Sequence, residues 1–201
     1  NCVYNKLVSI CERAEVSGAQ MIGLGAYTKV VGDAGVSVKK RSPIPLTTGN
    51  SLSAAATLWA GDYALKKMNL VPEVDKNFDG QVMIVGATGS IGKVNSKILC
   101  QKWKRVVISS PTLYKLVDLK EELEKINPRC EVIYTTNPNK FAGSSDFIIT
   151  TTSAQGKRII DIEKIKPGCV VCDVSRPFDI SKEDAAKRPD ILVIASGEVE
   201  L

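Results

Sequence analysis

The stretch QVMIVGATGSIGKVNSK, Gln81 to Lys97, constrains the fold more than any other part of the chain. Val82 to Val85 form an apolar run with no polar alternation, the mark of a strand covered on both faces in a parallel sheet. Glycines follow at 86, 89 and 92, and then a helical pattern begins. A glycine string between a strand and a helix has a physical use. Gly86 permits the tight turn, Gly89 lets backbone amides approach a pyrophosphate, and Gly92 lets the helix pack closely on the sheet. The first helical turn, Ser90 and Ile91 included, adds partial positive charge and N–H donors. Thr88 and Ser90 contribute hydroxyl donors. The spacing is GxxGxxG rather than GxGxxG, and its context makes it a phosphate cradle.

The remainder of the chain is consistent with that start. After the predicted helix over Ser90 to Trp103 come RVVISS, a helix over Leu113 to Ile126, and then EVIYT, DFIITT, CVVCDV and ILVIAS. Apolar strands alternating with helices predict a doubly wound α/β domain with a parallel sheet. Residues 1 to 80 read differently. Val3, Leu7, Ile10, Cys11 and Ala14 recur at helical spacing, and Gly18 is a plausible stop. AQMIGLGAYTKVV reads as a strand running into a loop. PLTTGNSLSAAATLWAGDYALKK announces a long helix with Asn50 at its N-cap and Leu52, Ala55, Ala56, Trp59 and Tyr63 on one face. VPEVDKNFDG connects it to the next strand, with a turn at Asp79–Gly80. The expected division is a partial N-terminal substrate domain over 1–48, a connecting helix and linker over 49–80, and a nucleotide-binding domain over 81–201. A second glycine string, GLGAYT at Gly23 to Thr28, leads into KVVGDAG and not into a helix, so it is not read as a phosphate site.

Composition narrows the chemistry. With 44% hydrophobic and 24% charged residues, 201 residues suffice for one sizeable core or two small ones. The net charge of +5 is spread along the chain, and Lys39, Lys40 and Arg41, read as a solvated loop, form its only basic run. A basic stripe with interleaved aromatics is missing, which argues against nucleic acid as a partner. No run approaches the ~18 apolar residues of a membrane span. The expectation is a cytoplasmic protein, beginning partway through a larger one, since the chain opens at Asn1 inside a helix. There is no histidine, which excludes Ser-His-Asp and Cys-His catalysis within these residues. The six cysteines, at 2, 11, 100, 130, 169 and 172, sit mostly in apolar stretches. Cys169 and Cys172, three apart in a buried strand, point to opposite faces and cannot close on one metal.

The strand ends report on the dinucleotide. An acidic residue after the second strand would bind the ribose hydroxyls of NAD. ISSPTLYK has none there; Ser109, Ser110 and Thr112 can donate to a 2′-phosphate and Lys115 can reach it, which favours NADP(H) over NAD(H). The strand ending in IITTTSAQG places Thr150, Thr151, Thr152 and Ser153 toward the nicotinamide half of the cofactor.

GLGAYTKVV, TTGNSLSAA and MIVGATGSIG, in this order, and then TSAQG, CDVSRP and ASGEVE, resemble the cyanobacterial long-chain acyl-acyl-carrier-protein reductases. The wider group of that resemblance includes shikimate dehydrogenases and methylene-tetrahydromethanopterin dehydrogenases. It implies a Rossmann-like sheet preceded by part of a smaller α/β domain, and reduction of an acyl thioester to a fatty aldehyde with NADPH by way of a cysteine thiol. The partner it implies is an acyl carrier protein or an acyl thioester, and a homo-oligomer is compatible with it. Carried over by position, Gly86 to Gly92 hold the pyrophosphate, Thr28, Thr48, Gly49 and Asn50 line the substrate cleft between the two parts, and Ser196 and Gly197 close near the nicotinamide. This sequence departs from the family in three ways. The nucleophilic cysteine, expected after ASGEVEL, has no counterpart among the six, the strands that the resemblance places before the first helix are not in this sequence, and the arginine expected after the second strand is Pro111. The chain therefore reads as part of a reductase. The alternatives are a shikimate- or quinate-type dehydrogenase, whose lysine–aspartate pair has no carboxylate to match it at Thr48 to Asn50, and a non-catalytic nucleotide-binding module.

Overall fold

Nine residues from Asn77 to Val85 form the central strand of a computed structural model that describes residues 2–25, 35–75, 77–153 and 158–198. The chain divides into two compact units, 1–51 and 52–201.

In the first unit, α1 (Cys2–Val16) buries Leu7, Val8 and Cys11 with Leu24 and with Val38 of α2 (Val36–Arg41). Gly18, at φ 85°, ends α1 by donating its N–H to the Glu15 carbonyl at 2.8 Å, a helix stop that only glycine makes without strain. Strand β1 (Ile22–Gly23) pairs in parallel with β2 (Leu46–Thr47). Lys39, Lys40 and Arg41 form the last turn of α2 rather than a loop, where their charge complements the helix dipole. Ala26, Tyr27 and Thr28, the second half of GLGAYT, lie outside the described residues.

The second unit carries the parallel sheet, in the order β6-β5-β4-β7-β8-β9. Strand β3 (Glu73–Val74) adds an antiparallel edge to β4 (Asn77–Val85). The others are β5 (Trp103–Ser109), β6 (Glu131–Thr135), β7 (Phe147–Thr150), β8 (Val170–Asp173) and β9 (Leu192–Ala195), all parallel to one another and to β4. The predicted turn at Asp79–Gly80 is instead a register shift inside β4, between Phe78 and Gln81. Gly80 is required there because a Cβ would fall 2.6 Å from Asp146 Oδ2, the same oxygen that accepts the Gln81 N–H at 2.8 Å.

Alternate residues of each strand enter two cores. On one face Val82, Ile84, Val106, Ile108 and Ile149 pack beneath α3 (Asn50–Met68), α4 (Ser90–Leu99) and α5 (Leu113–Ile126). On the other, Met83, Val85, Val107, Ile148 and Val171 meet Ile160, Ile162, Ile165 and Ile180 from short 3₁₀ turns and connecting segments, near α6 (Lys182–Ala186). Each fully buried Val or Ile contributes about 1.5–3 kcal/mol. Cys169 and Cys172 fall into opposite cores, as their spacing requires, and neither meets a metal-ligand cluster among the described residues. Helix α4 ends at Leu99, four residues before the predicted end, because Trp103 already opens β5.

Helix α3 already includes Asn50, the residue expected as its N-cap, and buries a different face. Ala54, Thr57, Gly61, Ala64 and Leu65 are covered, while Leu52, Trp59 and Tyr63 are exposed. A Cβ on Gly61 would overlap the Phe147 ring, so the helix backbone lies against that ring and small residues must face it. No helix among the described residues is long and apolar enough to cross a membrane.

Candidate functional site

The glycine turn is built as its spacing demands. Gly86, at φ 84°, donates its N–H to the Ser109 carbonyl at 2.9 Å, and Ala87 donates to the same oxygen at 3.0 Å. The end of β4 is thereby fastened to the end of β5. A Cβ on Gly86 would stand 2.8 Å from Thr151 Oγ1, and one on Gly92 would run into the Gly86 carbonyl oxygen. Thr151 makes this close packing possible: its hydroxyl donates to the Val85 and Gly86 carbonyls, both at 3.1 Å. Gly89 occupies the N-cap of α4, with no side chain to cap the helix end.

This turn lies at the mouth of a cleft of about 780 Å³. The cleft brings together Gly86, Thr88 and Gly89, then Ser109, Ser110 and Thr112, then Thr151, Thr152 and Ser153. It therefore collects the ends of β4, β5 and β7, where strand order reverses and where open α/β sheets bind ligands. Ser90, Ile91 and Gly92 form the first turn of α4, next to Gly89 on the cleft wall, and do not themselves line it. Lys115 is exposed, its ammonium 6.0 Å from the Tyr114 ring centre, and it is not on that wall. Ser196 and Gly197, beyond β9, are also away from the wall: Gly197 accepts the Ser53 hydroxyl at 2.8 Å, and Ser196 donates its N–H to Asp173 at 2.9 Å. Thr48, Gly49 and Asn50 belong to the first unit.

The hydroxyls at these strand ends have definite partners. Thr88 and Ser110 share a hydrogen bond at 2.7 Å, which ties the glycine turn to the segment after β5. Thr150 donates to Asp173 Oδ1 at 2.8 Å, and Thr152 donates to Asp179 Oδ1 at 2.6 Å. Thr150 is thus fully buried, with its hydroxyl committed to Asp173, and it does not line the cleft. Asp173 also accepts the N–H groups of Ser175 and Ile180, both at 2.9 Å, so it organises the loop after β8. Ser175 completes the link, donating its hydroxyl to Asp179 at 2.7 Å and accepting the Thr152 N–H at 2.9 Å. Burial pushes the Asp179 carboxyl above the usual range, and the hydroxyls of Thr152 and Ser175 only partly offset it.

Sequence reasoning did not place Asp173, Ser175, Asp179 or Arg158. The first three stand in CDVSRPFD, at the carboxyl end of a strand, which is the position that the crevice rule singles out. Arg158 lines the cleft from the connection between β7 and β8. No signal in the sequence separates it from other basic residues.

The four buried thiols of the second unit are poor nucleophiles. Burial pushes Cys130, Cys169 and Cys172 up to about 12 and raises Cys100, and none of the four lines the cleft.

No protein-family model matches the chain. Among curated proteins, the aminotransferase PigE of a Serratia species is 33% identical, over 97% of this chain and 22% of that protein. The chain thus spans about a fifth of that relative's length. Among solved structures, the quinate dehydrogenase of Corynebacterium glutamicum in complex with NAD superposes with a TM-score of 0.54, at 13% identity, over 95% of this chain and 71% of its own. The dipicolinate synthase of Bacillus halodurans gives 0.52 at 12% identity, over 87% and 57%. An L-alanine dehydrogenase gives 0.51 at 16% identity, over 81% and 52%. At such identities the likeness is one of fold, and the fold is that of the Rossmann-type dehydrogenases.

Proposed function

We propose that residues 52–201 are the pyridine-dinucleotide-binding module of an oxidoreductase, holding the pyrophosphate against the Gly86–Gly89 turn and the start of α4. One observation carries this reading: Gly86 and Gly92 are packed where no Cβ fits, which draws the start of α4 against the strand end and leaves the backbone of Gly86 and Gly89 on the wall of a cleft at the strand-order reversal. The residues fit the group they would hold. Backbone amides and the helix end suit a diphosphate, and the Thr88–Ser110 and Thr151 hydrogen bonds keep the turn in shape before anything binds. The nicotinamide, when bound, supplies hydride transfer to or from a carbon atom. The protein's part is to bind and orient it. The network of Thr152, Ser175 and Asp179 fixes the wall on the β7 side. NADP(H) is favoured over NAD(H), because the segment after β5 offers hydroxyls and no carboxylate.

The activity supported best is that of a dehydrogenase moving hydride to or from a carbon that bears oxygen or nitrogen, an alcohol–carbonyl or an amine–imine pair. Its support is analogy with the quinate and alanine dehydrogenase folds. The thioester-reductase reading rests on the motif order from GLGAYTKVV to ASGEVE. It requires an accessible thiolate and an acyl carrier protein, and the four buried thiols of this unit do not supply the first. The aminotransferase name belongs to a relative of which this chain matches about a fifth.

Isothermal calorimetry with NADPH and NADH tests the binding reading. The expected result is saturable binding of at least one, lost with Gly89→Leu, whose side chain would occupy the approach to the turn. Heat no different from buffer dilution for both nucleotides contradicts it.

A further inference from the structure

We propose that Arg158 reads the charge on the adenosine side of the dinucleotide, so that the cleft selects the 2′-phosphate of NADP(H); this rests on the dinucleotide reading above. The strand order sets the geometry. With the pyrophosphate at the end of β4, strands β5 and β6 lie to one side, and the adenosine half of a dinucleotide extends over their ends. In sheets of this kind the ribose is ordinarily read by a side chain at the end of the second strand. Here that segment is Ser109, Ser110, Pro111 and Thr112, which carries no charge, and the Ser110 hydroxyl is engaged with Thr88.

The charge comes from another element. Arg158 is the one charged residue on the cleft wall among the described residues. It reaches the adenosine side because its segment is fastened there. The Asp161 N–H donates to Asn139 Oδ1 at 2.7 Å, and the Asn139 N–H donates to Asn137 Oδ1 at 3.1 Å. Asn137 and Pro138, which follow β6, stand on the same wall as Arg158.

The guanidinium is also chemically suited to a phosphate. Its carboxylate neighbours, Asp184 at 3.6 Å and Asp161 at 4.0 Å, lie beyond hydrogen-bond length. They attract it without filling its fork of donors. A phosphate can accept two parallel N–H bonds from that fork, the charge-assisted pairing in which arginine exceeds lysine. Arg158 is half-exposed, so its neighbours do not enclose the guanidinium.

The test is calorimetry on the whole chain, wild type against Arg158→Ala and Arg158→Gln, with NADPH and NADH at low and at 0.5 M salt. The wild type is expected to bind NADPH at least ten-fold more tightly than NADH. Both variants should lose at least ten-fold toward NADPH while binding NADH unchanged, and salt should narrow the wild-type preference. Equal weakening of both nucleotides, or no change in either, overturns the assignment. Equal affinity of the wild type for NADPH and NADH overturns it and leaves the dinucleotide reading standing. Binding of neither nucleotide removes both.

Discussion

Gly92 shows how narrow the tolerance at the turn is. A methyl group there would overlap the Gly86 carbonyl oxygen and stand 2.8 Å from Thr151 Oγ1. Neither neighbour can retreat, since one is backbone and the other hydrogen-bonds the same turn. Gly92→Ala should therefore push α4 away from the turn. The expected outcome is a loss of dinucleotide affinity of at least ten-fold by calorimetry, and a loss of stability of about 1–3 kcal/mol in urea melts. Gly18 and Gly92 were legible from sequence because glycine leaves a signature where the backbone must bend or approach. Thr150 and Thr152 were legible as strand-end hydroxyls, but their partners were not. Asp173 and Asp179 reach them from β8 and the loop after it, a proximity that only the folded sheet creates.

The clearest device at the level of elements is the carboxylate that joins α4 to α5. Glu122, on α5, receives Lys93 at 2.6 Å and Lys97 at 2.8 Å, both from α4. Hydrogen bonds from these two ammonium groups hold its carboxyl down at about 2, below the usual 4.5. A depressed carboxyl contributes stability above its ordinary pKa and loses it as the pH falls toward the folded value. All three side chains are well exposed, so the contribution is that of a surface network, about 0.5–1 kcal/mol. Glu122→Gln should lower stability by that amount at pH 7 and low salt. The difference should shrink as the pH falls below 4.5, vanish only below about pH 2, and be largely screened in 1 M salt. Urea melts across pH measure it. The strands were legible as uninterrupted Val and Ile runs, and the helix over Leu113 to Ile126 in both its limits. The buried face of α3 was not. Aromatic residues suggested a face toward the core, whereas the Phe147 ring demands a close backbone and selects Gly61 and its small neighbours.

At the scale of the molecule, the second unit builds its candidate site on the same sheet that forms its two cores, without a separate scaffold for either. The two cores fix the strands, the strand order fixes the crevice, and the glycine turn, the shared Thr88–Ser110 bond and Thr151 shape the crevice's floor. The parallel sheet and the glycine turn were readable because both depend on local residue patterns. The division into units at 51/52 depends on which segments pack together, and no single residue encodes that. A crystal structure grown with NADPH tests the account most directly. It should place the pyrophosphate oxygens within about 2.7–3.2 Å of backbone N–H groups between Thr88 and Ile91. Density for the dinucleotide elsewhere, with side chains closing the turn at Gly86 and Gly89, would contradict it.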